Sequence, residues 1–208
     1  MKITVIGAAG MAGSRVVGEA VDRGHHVTAV VRRTRPESLP AGVSVVQGDA
    51  ADVAHMTSLF GGSDAIVGAT RPAPGAEDTV AATTTALLDA AVAARTRALL
   101  IGGAAPLLSP RGGLVFDDDR FVPPFVRTIA AASLVQLDVC RAHHADWVYL
   151  SPPALLEPGA RTGGYRRGTT GLMVAADGRS WISAEDFAIA VVDELERPGE
   201  NRHITVGY

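Results

Sequence analysis

Three glycines, Gly7, Gly10 and Gly13, stand at i, i+3 and i+6 directly after an apolar run from Ile3 to Ile6. In such a series the first glycine lets the chain turn sharply out of a strand. The second lets backbone approach a ligand, and the third lets helix and strand pack closely. The turn Gly7-Ala8-Ala9-Gly10-Met11-Ala12-Gly13 leads into a helical pattern from Met11 to Arg23. A helix start offers bare amides and partial positive charge, and in this context the anion that fits is the pyrophosphate of a dinucleotide. A second apolar run, His26 to Val31, ends in Arg32 and Arg33. A site preferring NAD carries Asp or Glu there, whereas arginine suits the 2′-phosphate of NADP through bidentate bonding. NADP(H) is therefore expected over NAD(H); a solvated pair at a strand end is the alternative.

Other residues of this kind sit where later strands should end. Asp49-Ala50 follows the third, with Asp49 placed either to accept from an adenine amino group or to cap the next helix. Ala69-Thr70-Arg71 follows the fourth, where Arg71 either clamps phosphate or an acidic substrate or is only solvated. Gly102-Gly103 follows the fifth and Pro152-Pro153 the sixth. With the glycine turn and the two arginines, these form the expected cofactor-binding set. No catalytic residue is identified; the candidates are Tyr165, which stacks on an acceptor, donates a proton or merely packs, and Arg127. Lys2 is the sole lysine, so a Tyr-x-x-x-Lys pair is impossible.

Positioning these residues takes alternating strands and helices. Strands are expected at Ile3 to Ile6, His26 to Val31, Val43 to Gln47, Ala65 to Ala69, Ala98 to Ile101 and Trp147 to Leu150. Helices are expected at Met11 to Arg23, Asp52 to Phe60, Asp78 to Arg95 and Pro124 to His143. The strand runs are continuously apolar rather than alternating, which favours strands covered on both faces. The fold class is thus α/β, a Rossmann-like doubly wound parallel sheet with helices on both faces. The chain's 208 residues read as one domain, 1–208. Within it, 155–208 form a small substrate-capping region. That region should contain a hairpin of Leu172 to Ala175 against Ser180 to Ile182, a helix opened by the capping box Ser183-Ala184-Glu185-Asp186, and a last strand from His203 to Val206.

The glycine turn, Gly48-Asp49 and Ile101-Gly102-Gly103 resemble the atypical short-chain dehydrogenase/reductases. The chain is most similar to their NAD(P)H-binding, NmrA-like group, which includes flavin reductases of the biliverdin reductase B type. The stretches 146–153, 158–166 and 181–188 strengthen the likeness. The resemblance implies the Rossmann fold and a nicotinamide cofactor across nearly the whole chain. It also exposes departures. The family serine would follow the fifth strand, where this chain has Gly103-Ala104-Ala105-Pro106. The family Tyr-x-x-x-Lys would open the fifth helix, where it has 121–127; Arg127 stands either as a substitute for the lysine at the ribose or as a solvated residue.

Reduction of an ordinary ketone needs an acid for the developing alkoxide. A flavin, quinone or similar conjugated acceptor needs less help, because charge spreads over its π-system. The leading expectation is an NADPH-dependent reductase of such a small-molecule acceptor. A non-catalytic NADP(H) sensor is the alternative, and an epimerase or dehydratase-like enzyme the third. Net charge of −3 gives no footprint for nucleic acid or an anionic membrane. No metal ligand set is apparent, no run is long enough to span a bilayer, and a cytoplasmic location is expected. Helices 78–95 and 124–143 are candidate faces of a homodimer.

Overall fold

The computed structural model describes every residue except Thr34, Arg35 and Ser38. The first half of the chain runs β1 (Lys2–Ile6), α1 (Met11–Asp22), β2 (His26–Val31), β3 (Ser44–Gln47), α2 (Val53–Phe60), β4 (Ala65–Gly68) and α3 (Val80–Ala94). It continues through β5 (Arg97–Ile101), α4 (Arg127–Ala142), β6 (Trp147–Ser151), β7 (Leu155–Glu157), β8 (Arg166–Gly168), β9 (Trp181–Ser183), α5 (Ala184–Glu196) and β10 (His203–Gly207).

Eight strands form one sheet in the order β3-β2-β1-β4-β5-β6-β10-β8. Every pairing in it is parallel except that of β8 with β10. The chain moves outward from β1 to β3, then returns to the other side of β1 as β4, so the order reverses at the β1–β4 boundary. Open sheets of this kind bind ligands outside the carboxyl ends of the strands at that reversal. Register brings those ends into line: Ile6 lies beside Val30 and Gly68, Gly68 beside Leu100, and Ile101 beside Leu150.

The apolar strand runs follow from burial on both faces. Ile3 and Val5 face α1 and α5 and pack with Val16, Val17, Phe187 and Val191. Ile6 and Ile66 face the other way, with Met56, Phe60, Leu87, Leu88 and Leu137 of α2, α3 and α4. Ser183 caps α5 as its sequence suggests, accepting the Asp186 amide at 3.0 Å. Gly24, at φ +80, ends α1 in the left-handed conformation that glycine adopts at little cost.

The expected hairpin is corrected. Its turn does close, with Gly178 N–H donating to Ala175 O at 2.9 Å and Ala175 N–H to Arg179 O at 2.8 Å. The flanking segments part, however. Trp181–Ser183 pairs in parallel with Leu155–Glu157, while Leu172 donates its amide to Leu108 O at 2.9 Å and buries its side chain beside Leu107, Val115 and Val122. Both segments find better partners elsewhere. Residues 155–208 also do more than cap: β10 and β8 widen the main sheet, and α5 completes one face. Among the described residues no helix is long and apolar enough to cross a membrane.

Candidate functional site

The turn after β1 can be built only with glycine. Gly7 has φ +79, and a β-carbon there would stand 2.4 Å from the Ala69 carbonyl oxygen. Gly10 caps α1 with no side-chain hydrogen bond. Its amide donates to Gly7 O at 2.9 Å, and Ser14 N–H makes the first helical bond back to Gly10 O at 2.9 Å. The amides of Met11, Ala12 and Gly13 precede that bond and lack an intrahelical acceptor. No acid stands in the first turn, and Ala9, Gly10 and Met11 are exposed. Unpaired N–H groups and the positive end of the helix dipole together make an anion receptor.

Cationic groups surround this receptor along the same sheet edge. Arg32 and Arg33 leave the end of β2, and Arg71 follows the end of β4; all three are exposed. Among the described residues none of their guanidinium groups has a hydrogen-bond or ion-pair partner, so each is free to meet a phosphate. Ala69 and Thr70 are half-buried beside the glycine turn, and Ala69 N–H donates to Ile6 O at 2.8 Å. Asp49 is exposed at the end of β3 and accepts the Ala51 amide at 3.0 Å, with Ala50 buried behind it. The residue that caps α2 is Asp52, which takes the His55 amide at 3.0 Å. Pro152 and Pro153 are buried where the chain leaves β6.

The exit from β5 is bare backbone for a steric reason. A β-carbon on Gly102 would lie 1.9 Å from Tyr149 Cζ and 2.1 Å from its oxygen, and one on Gly103 would lie 2.9 Å from Ser133 Cβ and Oγ. Tyr149 is fully buried in β6. Its hydroxyl accepts Gly103 N–H at 3.4 Å and stands 3.1 Å from both Ser133 O and Gln136 Oε1 on α4. Burial pushes its pKa well above that of an ordinary tyrosine, so it stays protonated. Ser133, Gln136 and Tyr149 were not among the expected site residues. The signal for them was a tyrosine in the middle of the apolar sixth strand and two glycines directly after the fifth.

The two catalytic candidates lie in other surroundings. Tyr165 packs against the core shared by α1 and α5 and donates its hydroxyl to Asp193 at 2.5 Å. Arg127 opens α4, with its guanidinium 4.5 Å from the Phe116 ring centre and 3.4 Å from Asp119. It braces the loop after β5. That loop carries its own apolar cluster of Leu107, Val115 and Val122, joined by Leu172. A Leu108 N–H bond to Thr170 O at 2.7 Å ties it to the C-terminal region. Among the described residues no group of His, Cys, Asp and Glu could hold a metal ion. A depression lined by Lys2, His26, Gly42 and Gly62 lies at the opposite, amino edge of the sheet, away from all of these residues.

Comparison with known proteins agrees with this geometry. The NAD(P)H-binding family matches residues 7–198. The uncharacterised protein YwnB of Bacillus subtilis is 36% identical, the match covering 99% of this chain and 98% of YwnB. A solved candidate NADH-flavin reductase of Streptococcus pneumoniae superposes with a TM-score of 0.89 at 29% identity, over 100% of this chain and 99% of that one. A solved candidate epimerase of Bacteroides thetaiotaomicron gives 0.87 at 34% identity, over 100% and 96%. With a glycine turn at the reversal of a doubly wound sheet and a family match over residues 7–198, this chain belongs to the NAD(P)H-binding family.

Proposed function

We propose that this protein is an NADP(H)-dependent reductase that passes hydride to a flat conjugated acceptor, a flavin or a quinone. The observation that carries this reading is the exit from β5, where Gly102 and Gly103 have room for no side chain and the adjacent Tyr149 hydroxyl is buried and already bonded. When bound, the nicotinamide would supply a proton and two electrons together as hydride. The chain's own contribution is to grip the phosphates with the amides of Met11 to Gly13, to hold the 2′-phosphate with Arg32 and Arg33, and to present an unobstructed backbone floor. Negative charge delivered to an extended π-system is spread there, so protonation by solvent suffices and proximity accounts for most of the acceleration. The Streptococcus relative is named for NADH; the arginines at the end of β2, unpaired among the described residues, argue for the phosphorylated cofactor in this chain. A cytoplasmic location, with its supply of NADPH, belongs to the same proposal.

The test is a steady-state screen of NADPH and NADH against FMN, riboflavin, a quinone and a simple ketone. NADPH oxidation with the flavins or the quinone, and none with the ketone, is the expected result. Brisk ketone reduction would reveal a proton donor and overturn the mechanism. Tight NADPH binding without turnover would indicate a cofactor sensor. The Bacteroides relative favours a second reading, an epimerase, which would convert its substrate without net cofactor oxidation.

A further inference from the structure

We propose that Tyr149 is a positioning residue for the nicotinamide half of the cofactor, its hydroxyl fixing the Gly102–Gly103 backbone as the floor on which that half lies. The inference rests on the cofactor reading above. With the pyrophosphate on the start of α1 beside β1 and the 2′-phosphate at the end of β2, one half of the dinucleotide occupies the β2 side of the sheet. The other half must extend to the opposite side of β1, over the exits of β4 and β5.

Three structural elements meet at the phenol that supports this floor. The ring stands on β6. Its tip fills the space that a Gly102 side chain would need, and its oxygen takes the Gly103 amide at 3.4 Å. The same oxygen has one proton to give, with Ser133 O and Gln136 Oε1 each 3.1 Å away on α4. A side chain required only to fill the core would not need a hydroxyl there, since burying one costs free energy unless it is bonded. Here the hydroxyl links α4 to the amide of the residue where β5 turns upward. Ser133 backs Gly103 from the same side. The peptide plane at Gly103 is thereby held from the α4 side, while both glycines remain partly exposed.

The test uses the full chain and two ligands that divide the site. NADP⁺ spans both halves; adenosine 2′,5′-bisphosphate reaches only the adenine half. Tyr149→Phe keeps the ring and removes the hydroxyl. In calorimetric titration it should weaken NADP⁺ about tenfold while leaving the bisphosphate within about twofold, and kcat with a fixed acceptor should fall. Gln136→Met leaves the phenol in place and removes one of its acceptors, so it should move NADP⁺ alone, in the same direction and by less; it decides the matter if the tyrosine variant does not fold. Equal weakening of both ligands would show a general structural role and overturn the proposal, as would no change in either. Failure of the unaltered protein to bind either ligand would overturn the cofactor reading itself, and this inference with it.

Discussion

The carbonyl oxygen of Gly7 lies 2.3 Å from where a β-carbon on Gly13 would stand, and its carbonyl carbon lies 2.9 Å away. Both atoms belong to the backbone, so neither can swing aside. Gly13→Ala should force α1 away from the turn, lowering stability by about 1–3 kcal/mol and dinucleotide affinity by at least about tenfold. Thermal unfolding and titration with NADPH measure the two effects. Unchanged affinity would mean that the turn does not grip the cofactor.

Arg32 carries a guanidinium with no partner among the described residues. Arg32→Ala should weaken NADPH by about tenfold or more and leave NADH within about twofold, because only the former has the extra phosphate. Equal losses for the two cofactors would reject the 2′-phosphate role.

Acid stability should report on His203. Burial pushes its imidazole down to about 4 from an ordinary 6.5, with nearby Arg141 acting in the same direction. Its Nε2 meets Ser151 Oγ at 3.0 Å, and its Nδ1 is buried without a partner among the described residues. Between those two values the unfolded chain binds a proton that the folded chain refuses. Stability is therefore complete above pH 6.5 and declines as pH falls toward 4. Glu19, Asp186 and Asp193 are held below the ordinary carboxylate range by their hydrogen-bond partners, after a desolvation effect that opposes them. Their contribution is lost only at still lower pH. His203→Gln should flatten the melting-temperature slope in the upper window; an unaltered slope would assign it to another group.

Asp186 holds the loop 158–164 against α5. Its buried carboxylate accepts Thr162 N–H at 2.8 Å, Gly163 N–H at 2.9 Å, Tyr208 OH at 2.6 Å and the Thr162 hydroxyl. An amide presents donors where some of these donors point, so Asp186→Asn should cost about 2–3 kcal/mol. It should also speed tryptic cleavage after Arg161. If cleavage is no faster, the bidentate Arg161–Glu19 pair, at 2.9 Å on both arms, holds the loop without help.

The parallel core was legible because strands buried on both sides leave unbroken apolar runs, and because three glycines at fixed spacing have few other uses. Ile3 to Ile6, followed by those glycines, shows both, and His26 to Val31 shows the first. The short strands were not. Trp181–Ser183 is too brief to show an alternation, and its partner Leu155–Glu157 lies beyond a turn that does form, so nearby sequence pointed to the wrong neighbour. Tyr149 was hidden for another reason. A Tyr-x-x-x-Lys pair cannot begin at it, since Pro153 occupies the fourth place after it. Its contact with Gly103 depends on which strands adjoin, and spacing along the chain carries no trace of that.

One border of the sheet is β8, three residues long, running against the direction of its neighbour β10 and bearing the exposed Arg166 and Arg167. A foreign strand approaching there finds a short ladder and two cations that it would have to desolvate. Such borders resist the strand-by-strand growth that leads to fibrils, so a concentrated solution of this protein should be guarded against aggregation on that flank.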